Sequence, residues 1–326
     1  MNLLVTGANG FVGRLLVARL AGGAILPIPF TKLVLLDRTF NTACRECNDP
    51  RVEFVEGSIA DGDVVARAFE SAPDIVFHLA SVPGGLAELD YAMGREVNLN
   101  GTHALLDACA RLPRAPRFVF ASSISVLGAP LSEPVDDTTE PRPNMSYGAH
   151  KWIGEILVDD CHRRGWIDGR SIRLPGIVAR PPQPTGALSI FMSDVIRELA
   201  AGRPYACPVS GDATMWLMSG ATIVDNLIHA ALADIPPDVR KRSWTLPALH
   251  CSMHELVEAV GIHARRPVES LVSYRPNAAL EASFGNYPPL ETPAADALGF
   301  RHDGTLARLV ARSLDPSHID SLPADA

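Results

Sequence analysis

The chain has 326 residues, 47% of them hydrophobic and 20% charged, with a formal net charge of −8. This specifies a globular body with a sizeable core and room for two lobes, and excludes a disordered chain. The acidic balance gives no general pull toward nucleic acid or anionic lipid, so neither is expected as a partner. With no signal-like segment before the first strand and no apolar run of membrane-spanning length, the expected location is the cytoplasm.

In chain order, residues 3–6 read as a short buried strand, and the turn from Gly7 to Gly10 opens a helix carrying Phe11, Val12, Leu15, Leu16 and Leu20 at helical spacing. Residues 33–36 form a second apolar strand ending at Asp37, and residues 52–55 a third. A helix is expected over 63–70, a strand over 74–80 and one long helix over 86–111. Residues 118–121 and 171–174 are further strands, separated by a helix from Tyr147 toward Arg163. Apolar strands alternating with helices predict an α/β fold, a Rossmann-type doubly wound parallel sheet with both faces covered.

After Pro175 the texture changes. Prolines punctuate the chain, with helices expected over 190–201, 223–233 and 253–260. The reading is a dinucleotide-binding domain over 1–175 and a smaller, irregular substrate lobe over 176–326, with elements such as 207–235 exchanging between them. The polar tail from Asp315 is expected to be loosely held. Six cysteines (Cys44, Cys47, Cys109, Cys161, Cys207, Cys251) read as reduced thiols. Cys44 and Cys47 have metal-ligand spacing, but no second pair completes a zinc site, so no metal is expected.

Three motifs carry chemistry. The first is Gly7-Ala8-Asn9-Gly10-Phe11-Val12-Gly13 between a strand and a helix, where a tight turn, close backbone approach and free helix N–H groups suit a pyrophosphate. Asp37, ending the second strand, suits the adenosine ribose hydroxyls and would repel a 2′-phosphate, favouring NAD over NADP, although Arg38 beside it is able to pair with that phosphate. The second motif is Tyr147-Gly148-Ala149-His150-Lys151, whose i, i+4 spacing lets a phenol and an ammonium face one ligand. A free phenol, with a pKa near ~10, is a poor base at neutral pH, and a neighbouring cation favours its ionised form. The third is Ser122-Ser123-Ile124-Ser125 at a strand end. Ser123 is the expected substrate-orienting hydroxyl, and Ser122 and Ser125 are expected to cap the turn. His78 reads as a satisfied core histidine.

Together these motifs resemble the extended short-chain dehydrogenases of the NAD-dependent epimerase/dehydratase family, and the resemblance spans essentially the whole chain. It implies NAD as cofactor, Tyr147 as base, Lys151 tuning it and Ser123 orienting the substrate oxygen. It further implies a cofactor wall of Gly7, Asn9, Gly10, Phe11, Val12, Gly13, Asp37, Ser58, Ile59, Leu79, Ala80 and Ser81. Asn98 would support that wall, and Tyr147, Lys151 and Pro175 would stand at its nicotinamide end. The sugar-nucleotide members carry an asparagine after the sixth strand and an arginine in the second lobe. Here the chain reads Arg173-Leu174-Pro175-Gly176 and Thr214-Met215-Trp216-Leu217-Met218-Ser219. A diphosphate would find no grip there.

Residues 118–128, 146–155, 169–175, 189–202, 207–209 and 215–230 resemble more closely the D-erythronate dehydrogenase branch. That likeness implies a small anionic sugar-acid substrate oxidised beside its carboxylate. A carboxylate needs a cation, and Arg180, Arg197 and Arg203 are on offer in the second lobe. The choice falls on Arg197, with Thr185, Ser189 and Ser81 as further substrate contacts. Trp216 and Met215 either seal the pocket or pack the core. A homodimer is expected by family analogy alone. Two other readings stay open: a nucleoside-diphosphate-sugar epimerase or dehydratase, and a non-catalytic NAD sensor.

Overall fold

The computed structural model describes residues 1–22, 27–41, 49–131, 133–180, 188–236 and 239–315. The chain opens β1 (Asn2–Thr6), α1 (Phe11–Ala21), β2 (Lys32–Asp37), β3 (Val52–Glu56), α2 (Gly62–Ala68) and β4 (Ile75–His78). There follow α3 (Gly84–Leu89), α4 (Tyr91–Arg95), a π-helical turn (Glu96–Gly101), α5 (Thr102–Ala110), β5 (Arg117–Ser123), α6 (Ser146–Arg163) and β6 (Asp168–Leu174). The second part comprises β7 (Gly176–Val178), α7 (Phe191–Ala200), β8 (Tyr205–Cys207), β9 (Thr214–Ser219), α8 (Gly220–Leu232), β10 (Ser243–Thr245) and β11 (Leu249–Ser252). It closes with α9 (Met253–Ala264), β12 (Val272–Tyr274), α10 (Ala278–Phe284), α11 (Pro293–Ala297) and α12 (Leu306–Ser313).

Seven parallel strands form the main sheet in the order β10-β6-β5-β4-β1-β2-β3. The order reverses between β1 and β4, and doubly wound sheets open a ligand crevice at such a point, at the carboxyl ends of the strands. Leu3, Val5, Leu33 and Leu35 face one apolar layer with Leu16 of α1 and Leu227 of α8, while Leu4, Val34 and Leu36 face another with Leu105 of α5 and Val158 of α6. Burial on both faces explains why these strands read as continuous apolar runs.

A smaller lobe carries β7, β9 and β11 in one short sheet and β8 with β12 in another. Its own core packs Phe191, Val195 and Leu199 of α7 against Met215, Leu217, Leu256 and Leu309. The chain returns to the first body through α8 and again through β10, which pairs with β6 outside the 207–235 stretch expected to exchange. Val239 and Ala295 add to that layer.

The single helix expected over 86–111 is instead broken. Asp90 has φ −127° and ψ 84°, and its carboxylate accepts from the Met93 N–H, capping a new helix start. A short acceptor side chain competing for backbone donors ends one helix and begins the next. The second piece then loosens into the π-helical turn that carries Asn98. The Cys44–Cys47 pair and Thr185 lie outside the described residues, as does the tail beyond Asp315. No helix among the described residues is long and apolar enough to cross a membrane.

Candidate active site

Two cavities meet at the crevice. The first, about 360 Å³, is walled by Gly7, Asn9, Gly10, Asp37, Ser58, Ile59, Leu79, Ala80 and Ser81, all expected cofactor residues. Gly7 has φ +69°, and a Cβ there would lie 2.6 Å from the Ala80 nitrogen, so the turn requires glycine. A Cβ on Gly13 would fall 2.0 Å from the Gly7 carbonyl oxygen, which is how close α1 comes to the turn. Phe11 and Val12 open α1 and pack into the core layer behind. Neither is among the residues walling this cavity. The Asn9 and Arg38 N–H groups donate to the Asp37 carboxylate at 2.8 and 2.7 Å. Burial raises the Asp37 pKa, and these bonds oppose the rise. Asn98 accepts from the Val82 N–H at 2.7 Å and donates to the Val82 carbonyl at 3.1 Å, bracing the segment after β4.

The residues fit a dinucleotide. A glycine-lined turn that a Cβ would block leads into a helix start, and a carboxylate ends the neighbouring strand on the same cavity. His78 is fully buried, bonded to Thr6 and Thr102, and held neutral by burial and by the Lys151 charge.

The second cavity, about 110 Å³, is walled by Ser123, Tyr147, Pro175, Arg180, Ser189 and Trp216, with Phe284 and Tyr287 from near the C-terminus. Pro83 lines both cavities, and the Ser81 hydroxyl of the first and the Ser123 hydroxyl of the second both act to lower the pKa of the Tyr147 phenol. The two spaces are therefore adjacent, with the phenol at their junction. Pro175 lines the second cavity and not the first. Ser123 ends β5, and its Oγ donates to the Ser125 Oγ and accepts from the Ser125 N–H, both at 3.1 Å.

Tyr147 and Lys151 occupy the first turns of α6. Burial raises the Tyr147 pKa, and Arg180 with the Ser81 and Ser123 hydrogen bonds pulls it back. The cation opposing the rise is Arg180. The Lys151 Nζ lies 5.7 Å from the Tyr147 ring centre and donates to the Ala121 carbonyl at 2.7 Å. Burial pulls its pKa down to about 7, against the attraction of Glu155.

Arg197, the expected carboxylate anchor, pairs with Asp194 one turn earlier on α7, donates to the Arg180 carbonyl and is not among the residues walling this cavity. The guanidinium on the cavity wall is Arg180, which has no carboxylate partner among the described residues. Burial lowers its pKa, and Tyr147 opposes that shift. Trp216 is buried and donates to the Pro288 carbonyl at 2.7 Å, with the Tyr287 ring 4.8 Å away. Met215 packs in the lobe core. Phe284, which ends α10, and Tyr287 in the loop after it escaped sequence reasoning because that stretch has no motif and is tied to β9 by the pairing of Thr214 with Asn286.

The model of the NAD dependent epimerase/dehydratase family matches residues 3–230. D-erythronate dehydrogenase of Cupriavidus necator is 36% identical over 98% of this chain and 99% of its own length. D-erythronate dehydrogenase of Haemophilus influenzae is 30% identical over 97% and 99%. Among solved structures, one described as the nucleoside-diphosphate-sugar epimerase from Agrobacterium tumefaciens superposes with a TM-score of 0.86 at 33% identity, covering 95% of this chain and 92% of that one. L-threonine dehydrogenase from Clostridium difficile, at 20% identity and a TM-score of 0.84 over 99% of both chains, shares the fold. By sequence and by architecture, the chain belongs to the NAD dependent epimerase/dehydratase family.

Proposed function

We propose that the protein oxidises the C2 hydroxyl of a small polyhydroxy acid such as D-erythronate to the 2-oxo acid. It is an NAD-dependent oxidoreductase acting on a CH–OH group, as its family membership and dehydrogenase relatives indicate. The observation that carries the substrate reading is Arg180: a guanidinium without a carboxylate partner among the described residues, on the wall of a 110 Å³ cavity shared with Ser123 and Tyr147. A planar fork of donors matches a carboxylate, and a hydroxyl beside that carboxylate then falls within reach of the phenol.

NAD, when bound between the glycine turn and Asp37, supplies the hydride acceptor. Ser123 holds the substrate hydroxyl, and Tyr147 takes its proton. The phenolate this requires is favoured by Arg180 and by the Lys151 ammonium. Ser189 offers the substrate a further hydroxyl contact. Trp216, Phe284 and Tyr287 close the outer wall and keep water from the reacting carbon. The same wall argues against a nucleotide sugar, since β9 brings apolar Trp216 to it, with Met215 and Leu217 turned into the lobe core, where a diphosphate would need charged donors. A homodimer through α6 belongs to this reading, supported by Ile153 and Ile156 standing exposed on that helix.

The test is NADH absorbance with purified protein, NAD and D-erythronate, compared with related sugar acids and UDP-sugars. NADH formed only with the acids supports the reading. Conversion of a UDP-sugar without NADH would replace it with an epimerase, and NAD binding with no turnover on either class would leave a sensor.

A further inference from the structure

The Glu155 carboxylate lies one helical turn beyond Lys151 on α6, almost fully buried, and ties that helix to two strands of the site at once. Its Oε1 accepts from the Ser122 Oγ at 2.5 Å, and Arg173 of β6 grips it with two bonds at 2.9 and 2.7 Å. Ser122 and Arg173 are register partners across β5 and β6. Ser122 sits between Ala121, whose carbonyl takes the Lys151 ammonium at 2.7 Å, and Ser123 on the cavity wall. Phe120 on the same strand presses on α6 so closely that a Cβ on Gly154 would lie 2.6 Å from its ring.

We propose that Glu155 is a positioning residue for the reaction. It locks the end of β5, with Ser123, to the face of α6 that bears Tyr147 and Lys151, and its charge, one helical turn away, favours the ammonium form of Lys151. A buried carboxylate is costly to hold, and a core built only for packing would satisfy this position with apolar side chains. The burial that pulls Lys151 down is opposed by Glu155, in keeping with that role. Arg173 neutralises part of its field, while Asp159 on α6 adds negative charge to the same recess. Asp137 and Glu140 from the preceding loop and Lys241 from the approach to β10 line its outer rim. His78, the titratable group facing Lys151 from β4, stays neutral.

The proposal rests on Tyr147 and Lys151 being the reacting pair, and two variants separate its parts. Ser122→Ala removes one hydrogen bond without stranding a charge. It is expected to lower kcat about tenfold through misplacement of Ser123, with KM for the acid changed less than about twofold and the pH profile unmoved. Glu155→Gln removes the charge. The Lys151 ammonium then loses its proton at lower pH, so the alkaline fall of kcat is expected to begin about one pH unit lower. Wild-type kcat in Ser122→Ala, or an unshifted profile in Glu155→Gln, would overturn the proposal. Should Glu155→Gln fail to fold, Ser122→Ala alone decides. Should wild-type protein form no NADH with any sugar acid, the substrate reading falls separately. The clamp is then read from ultraviolet titration of Tyr147 in NAD-loaded protein, wild type minus Tyr147→Phe. There Glu155→Gln moves the phenol to higher pH, and an unmoved phenol counts against the clamp.

Discussion

The first cavity takes its wall in chain order from Gly7 through Val97, at the ends of β1 to β4 and the helical turns that follow, whereas the second gathers Pro83, Ser123, Tyr147, Arg180, Trp216 and Tyr287 from both lobes. A dinucleotide is bound by backbone geometry and one carboxylate, and each of these is set by a few neighbouring residues. A small acid has to be enclosed, and enclosure needs side chains from segments that only folding brings together. The first half therefore writes itself into local motifs, and the second does not.

The sharpest way to break this division is at the junction. Tyr147→Phe is expected to lower kcat about a thousandfold, within the range for a lost general base, while NAD affinity by calorimetry stays unchanged. A matching loss of NAD affinity would mean the two halves are one site. Arg180→Met is expected next, cutting kcat/KM for the acid about a hundredfold, chiefly through KM, with NAD binding again untouched. An equal loss in Arg197→Met, whose partner is Asp194, would return the anchor to α7. On the cofactor side Gly7→Ala forces a side chain into a left-handed turn against Ala80. It should weaken NAD about tenfold and lower stability by about 1–3 kcal/mol in chemical denaturation.

The smallest effect lies away from both cavities. Burial, with the negative charge of Glu155, pushes the Asp159 carboxyl up to about 6. Because the folded pKa stands above the unfolded value, ionised Asp159 costs stability as pH rises through about 6, and costs nothing below an unfolded pKa of about 4. After discounting for solvent screening at a partly exposed group, Asp159→Asn should gain about 1 kcal/mol at pH 8 and nothing at pH 4. A denaturation series across that range reads the difference directly.

How much the sequence revealed follows the same line. Gly7, Asp37, Ser123 and Tyr147 were legible because each is fixed by its place at a strand end or helix start. The helix break at Asp90 was legible only in part, since apolar periodicity continues across it and the side-chain cap that wins is a local competition. Arg197 looked available on an amphipathic helix, yet Asp194 three residues earlier claims it, whereas Arg180 lies just past β7 with no pattern to mark it. Tyr287 reaches the cavity through the pairing of Thr214 with Asn286, a contact 72 residues apart that no periodicity encodes.

The most direct test of hydride transfer from the carbon beside the carboxylate uses D-erythronate deuterated at C2, with NAD and the wild-type enzyme. Mass spectrometry of the reduced cofactor is expected to find the deuterium on NADH, with a primary isotope effect on kcat/KM. Unlabelled NADH from the same substrate would place the oxidised carbon elsewhere and contradict the geometry argued for Arg180, Ser123 and Tyr147.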